Sequence, residues 1–189
     1  MPKRVDLPSA ILAGFSVLYP LIAIAAVSTV GPGAAVAVVI VLLGARLLLP
    51  VSRGVPVSMS LSLLPVLIAV VGVASFDRPL SVRLYPVFMN AAMLAAFVAT
   101  LWKPPSMIER FARVFEPDLP ESGVRYTRKV TLVWVGFFLV NGAIALWSVM
   151  QPGWSAWVFY NGFIAYMAAG LLFAGEYVVR QSVRRRPHL

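Results

Sequence analysis

FLVNGAIALW, Phe138–Trp147, decides how this chain is read. Asn-Gly is a strong turn signal in water, and between apolar residues it predicts a tight β-hairpin. The pair returns at Asn161-Gly162, inside FYNGFIAYM. Both copies stand in long apolar runs, so the solvent of the chain settles their meaning. Within a hydrocarbon layer a hairpin would strand backbone N–H and C=O groups, and the pair must then belong to a helix.

Composition names the solvent. Hydrophobic residues make up 60% and charged residues 12% of the chain, with a mean hydropathy of +0.88. A soluble domain carries roughly 45–50% apolar and about 25% charged residues. With so few charges, 189 residues cannot cover a core with polar surface. The apolar runs are about 18–24 residues long, enough to cross a hydrocarbon core of roughly 30 Å. The expected class is therefore all-α: a polytopic integral membrane protein.

Runs bounded by Pro, Gly and charge predict about six transmembrane helices, at approximately 9–29, 34–49, 56–76, 80–101, 126–150 and 154–180. Gly31-Pro32-Gly33 predicts a tight turn before the second. Fourteen of the sixteen Lys and Arg residues fall in alternate segments: Lys3 and Arg4; Arg46 and Arg53; Lys103 to Lys129; and Arg180 to Arg186. Only Arg78 and Arg83 fall on the other side. The positive-inside rule then places both termini in the cytoplasm. Lys3 and Arg4 ahead of an apolar run also fit a secretory signal. No small-residue cleavage site closes that run and further spans follow, so it is read as a retained helix.

The net charge of +9 follows topology. No aromatic and basic interleaving of the kind that stacks single-stranded bases is present, so nucleic acid is not an expected partner. The absence of cysteine excludes disulfides, thiolate chemistry and Cys metal sites. His188 is the only histidine and lies outside the spans. HExxH, GxSxG and P-loop patterns are missing too. The chain is therefore read as non-enzymatic, without a catalytic set, metal or cofactor.

The one sizeable polar segment is KPPSMIERFARVFEPDLPESGVRYTRK, between spans four and five. Ser106-x-x-Glu109 is a capping-box pattern. Met107, Ile108, Phe111, Val114 and Phe115 then recur at helical spacing, with Glu109, Arg110, Arg113 and Glu116 opposite. This predicts a short amphipathic interfacial helix at about 106–116 on the cytoplasmic membrane surface, ended by Pro117 and Pro120. It either anchors a loop or offers a docking surface to a cytoplasmic partner. Arg110, Arg113, Arg125, Arg128 and Lys129 are the candidate headgroup or partner contacts.

Inside the spans, Asn and Gly act through neighbours. Gly lets two backbones approach and the Asn amide bonds across to another helix. QPGW makes spans five and six antiparallel neighbours, with Asn141 nearer mid-span than Asn161, so the two are not expected to pair. Asn141 is expected to bond Asn90 or a backbone carbonyl. Asn90, Asn141, Asn161 and Glu176 are the candidate interhelical or lipid-contact residues, either as structural links or as the lining of a polar path. Glu176 stands four residues before Arg180, the spacing of a helical ion pair. Asp77, Arg78 and Arg83 form an ion cluster or simply solvated loop charge. Trp147, Trp154, Trp157 and Tyr160 read as an outer aromatic belt. Gly170 and Gly175, with Ala169 and Ala174, read as a close-packing strip.

Several of these positions carry a family resemblance: Lys103, Pro104, Arg110, Leu119-Pro120, Trp134, Phe137-Phe138, Trp157, Asn161-Gly162 and Arg180. In this pattern the second half of the chain resembles bacterial inner-membrane proteins related to the intracellular septation protein A family. It is most like a branch often encoded in aryl-polyene (xanthomonadin-type) pigment clusters. Spans one to three are similar only in hydropathy and spacing. The resemblance implies a multi-spanning, non-enzymatic component of envelope growth that acts through other membrane proteins, or a role in handling a polyene-lipid. It supplies no catalytic residue. The expected function is an inner-membrane assembly or scaffold protein of the bacterial cell envelope. Its partners would be membrane lipids and other envelope membrane proteins, and spans five and six would form its packed core. The alternative is a transporter or flippase, or its accessory subunit, for a lipid or aryl-polyene-lipid. A homo-oligomer could build the path this would need.

Overall fold

A computed structural model describes residues 31–48 and 63–184. The first expected span, residue 49 of the second and residues 56–62 of the third lie outside the described residues. What is described is all-helical. The elements run α1 (Pro32–Leu48), α2 (Leu63–Ala74), α3 (Arg78–Trp102), α4 (Met107–Phe115), α5 (Glu121–Met150) and α6 (Ser155–Phe159). A π-helical turn (Tyr160–Ile164) and α7 (Ala165–Arg184) complete them. Among the described residues three helices are long and apolar enough to cross a membrane: α3, α5 and the stretch Ser155–Val179 that runs through α6, the π turn and α7.

Local chemistry sets the boundaries. At the start of α3 the Leu80 N–H donates to Asp77 Oδ1 at 2.9 Å, and Pro79 sits in the first turn, where a missing N–H costs nothing. Asp77 is thus a helix cap and makes no ion pair with Arg78 or Arg83. Gly31, with φ +113°, turns the chain into α1, whose first residue is Pro32. The α5–α6 connection turns at Gly153, with φ +72°, a conformation that glycine adopts without strain. α5 begins at Glu121, five residues before the expected start, with the acid in its first turn favoured by the helix dipole.

The core corrects one expectation. α3 is the central helix: its pairing with α5 is the most extensive, followed by that with α2. Spans five and six do not form the core. Two apolar clusters lie along α3. Near its start, Val39, Leu43, Val66, Val70, Val82 and Trp157 pack together. Near its end, Phe97, Met107, Val130 and Trp134 do so. α7 meets α5 at few points, such as Trp134 with Phe173 (ring centroids 4.5 Å apart). Gly170 and Gly175 face open space where a side chain would stand, so the expected close-packing strip has no described neighbour. The physical reason is that apolar residues gain little by leaving lipid for another helix, so a span needs polar links or close backbones to be held. α7 has few of either.

Candidate functional site

The polar groups of the spans gather in one place, between the first half of α3, the second half of α5 and the start of the α6–α7 rod. Asn141 Nδ2 donates to Asn90 Oδ1 at 2.9 Å. Tyr160 Oη–H donates to Asn141 Oδ1 at 2.8 Å. Asn90 Nδ2 donates in turn to the Pro86 carbonyl at 2.8 Å. The expected Asn141–Asn90 link is present, and Tyr160 extends it to a third helix. Gly142 makes the approach close: a Cβ there would lie 3.1 Å from Asn90 Cβ. Pro86, inside α3, has no N–H for the Val82 carbonyl.

A second chain lies one to two turns away. Asn161 Nδ2 donates to Ser148 Oγ and to the Trp157 carbonyl, both at 3.0 Å. Ser148 Oγ–H donates to the Ala145 carbonyl at 2.7 Å. Arg83 Nη2 donates to the carbonyls of Ser148 (3.2 Å) and Gln151 (2.6 Å). Those carbonyls end α5, where a cation also suits the helix dipole. The guanidinium lies over Trp154, 5.7 Å from the ring centroid. Trp157 Nε1–H donates back to the Arg83 carbonyl at 2.9 Å. Arg83 Nε is buried without a hydrogen-bond partner.

This overturns the aromatic-belt reading for two residues. Trp157 is fully buried and Tyr160 serves the amide chain; Trp147 stays exposed. Trp near a helix end reads alike in sequence whether it faces lipid or a neighbour. Arg83, Ser148, Trp157 and Tyr160 were missed as site residues. One signal was available: Arg83 is one of only two bases, with Arg78, that fall outside the base-rich alternate segments.

The opposite end of α3 holds α4. The Met107 N–H donates to Thr100 Oγ1 at 2.9 Å and the Ile108 N–H to Thr131 Oγ1 at 3.3 Å. Free donors of the first turn of α4 are thus accepted by hydroxyls of α3 and α5. Glu109 Oε2 accepts from the Ser106 N–H at 3.4 Å, making one side of the capping box. Ser106 Oγ is buried without a well-directed bond. The expected helix is present, but its apolar face is spent on the protein: Met107 is fully buried against Phe97, Val130 and Trp134. Glu109, expected on the solvent side, is only 6% exposed and pairs with Arg113 at 2.8 Å. An amphipathic pattern shows that a face is covered and leaves open what covers it.

The candidate basic residues mostly bind backbone. Arg110 Nε donates to the Pro105 carbonyl at 2.9 Å, Arg113 Nη1 to that of Pro117 at 3.0 Å, and Arg128 Nη1 to that of Leu101 at 3.1 Å. Arg125 pairs with Glu121 at 3.2 Å, with both side chains well exposed, an arrangement worth little. Lys129 is exposed. Glu176 is half-buried, and its carbonyl accepts from Tyr126 Oη–H at 3.4 Å. The side chain of its expected partner, Arg180, lies outside the described ones. Among the described residues no three His, Cys, Asp or Glu side chains gather as metal ligands.

The class these features define is an all-helical protein with the make-up of a membrane protein. No family model, characterised protein or solved structure matches the chain.

Proposed function

We propose that this chain is a six-span protein of the bacterial inner membrane with both termini in the cytoplasm, acting as a non-enzymatic assembly scaffold for the cell envelope. The supporting observation is how the span amides are used. Asn141 donates across to Asn90 of α3 and Asn161 across to Ser148 of α5, while Asn90 and Asn161 also donate to carbonyls of their own helices, those of Pro86 and Trp157. A transport path needs polar groups that a passing headgroup can borrow, and these are already committed. A polar group in a span that is satisfied within the bundle serves to hold helices together.

Purification in gentle detergent or nanodiscs, followed by native mass spectrometry, tests this. A stoichiometric protein partner with only bulk phospholipid is the expected result. A specific acyl- or polyene-lipid held by a lone protomer or homo-oligomer overturns the scaffold in favour of a transporter. Orientation is tested separately, because the chain has no cysteine. With an impermeant maleimide on intact cells stripped of the outer membrane, Ser155→Cys should label and Ser122→Cys should not. The reverse pattern overturns the topology.

A further inference from the structure

Two arginines converge on the end of α3 and the few residues that leave it, and their effect is to build a basic rim around an exposed indole. Arg128 reaches from α5 to the Leu101 carbonyl at 3.1 Å. Arg110 reaches from α4 to the carbonyls of Pro105 at 2.9 Å and Lys103 at 3.4 Å. The loop is thereby tied to both helices. Trp102 is left 81% exposed at the end of a helix long enough to cross a membrane. Lys103, Arg128 and Lys129 are exposed beside it or on the neighbouring helix. Among the described residues none of these three has a carboxylate partner.

The surface of α5 continues from this rim in a definite chemical order. One turn below Arg128 and Lys129 stand Leu132 and Val133, each about half exposed. Gly136 follows on the same stripe, with open space where a side chain would be, and the stripe then continues apolar. Cations, an interfacial indole, then an apolar strip with a shallow dip: this is the sequence of groups met along a phospholipid from phosphate to acyl chain.

We propose that this rim is a binding site for one anionic phospholipid of the cytoplasmic leaflet. Lys103, Arg128 and Lys129 face its phosphate, Trp102 lies at its glycerol level, and an acyl chain lies over Leu132 and Val133. The proposal rests on the membrane topology given above. The chemistry that recognises the phosphate would also accept a soluble phosphate; the apolar strip in line with the cations favours the lipid.

The test uses the full chain in nanodiscs of phosphatidylcholine with a minor share of phosphatidylglycerol, read by native mass spectrometry of lipid retained after ejection. Wild type should retain phosphatidylglycerol preferentially. Each cation lost should reduce that preference about fivefold, less as salt is raised. The triple variant Lys103→Gln, Arg128→Gln, Lys129→Gln should retain both lipids alike, and Lys103→Arg with Lys129→Arg should keep the wild-type preference. An unchanged thermal transition shows that the triple variant is folded; if it is not, the single Lys129→Gln variant carries the test. Equal retention by wild type overturns the proposal, as does a preference that survives in the variants. Displacement of the lipid by millimolar inorganic phosphate overturns the lipid assignment in favour of a soluble anion. None of these results moves the cysteine-labelling pattern, so a failure here is separable from a failure of the topology.

Discussion

The two Asn-Gly pairs are the same dipeptide put to opposite uses. Asn141-Gly142 continues a regular α-helix at a close approach of α5 to α3, where a Cβ on Gly142 would lie 3.1 Å from Asn90 Cβ. Asn161-Gly162 lies inside a π turn, in which the Ala165 N–H donates to the Tyr160 carbonyl five residues back. The first pair joins two helices along their length. The second sits where a rod changes from a pinned segment, Trp157 to Asn161, to one with few neighbours. A small residue beside an amide permits either outcome, and the packing around it selects one.

Removal of one residue from each pair breaks the comparison most severely. Deleting Gly142 would rotate one half of α5 by about 100° against the other. Either the Val130–Trp134 face or the Ala145–Ser148 face would then leave α3. No monodisperse folded protein is expected on size exclusion. A π turn already holds a surplus residue, so deleting Gly162 should return it to α-helix. Tyr160 and Asn161 precede the deletion and keep their bonds, and α7 has only contacts such as Trp134–Phe173 to lose. That variant should elute as wild type, with a thermal midpoint lowered by a few degrees at most. If both deletions abolish folding, the π turn is a structural requirement and the contrast between the pairs fails.

A milder change sharpens the same contrast. Asn141→Leu would leave Asn90 Oδ1 and the Tyr160 hydroxyl without partners, a cost of about 1–2 kcal/mol. Equilibrium unfolding in mixed micelles measures it. The cost should be non-additive with Tyr160→Phe, because the two side chains share one hydrogen bond at 2.8 Å. Additive costs would mean that the chain of amides does not act as a unit.

Much of this was legible from residue type and spacing. Apolar runs of spanning length marked α3, α5 and the α6–α7 rod, and an amide in mid-span called for a partner that Asn90 supplied. Ser106 and Glu109 marked the start of α4. What could not be read was which surface covers which. Met107 and Phe111 show the same periodicity whether lipid or α5 lies against them, and Trp157 looks like a belt residue until Arg83 is placed beside it. The π turn leaves no mark at all: YNGFI has no residue type that demands it, and the surplus residue becomes visible only as a displaced hydrogen bond. The central position of α3 was hidden for a related reason. Hydropathy reports how apolar a helix is, whereas packing among apolar helices follows the polar side chains that find partners, and most of the buried Ser, Thr and Asn side chains lie on α3 and α5.

The smallest effect is expected at Asn161, although the residue is as well buried as Asn141. Its amide donates to Ser148 Oγ and to the Trp157 carbonyl. Asn161→Ala strands neither: Ser148 still donates to the Ala145 carbonyl, and the Trp157 carbonyl still accepts from the Tyr160 N–H. What is lost is a link between α5 and the rod, worth about 0.6 kcal/mol, the mean for side-chain bonds between membrane helices. Measured in the same micelles, the variant should lie well above Asn141→Leu in stability. A loss equal to or larger than that of Asn141→Leu would invert the comparison. It would place the main joint of the bundle at the π turn, with the rod held through Asn161 and Ser148 rather than through the Tyr160–Asn141–Asn90 chain.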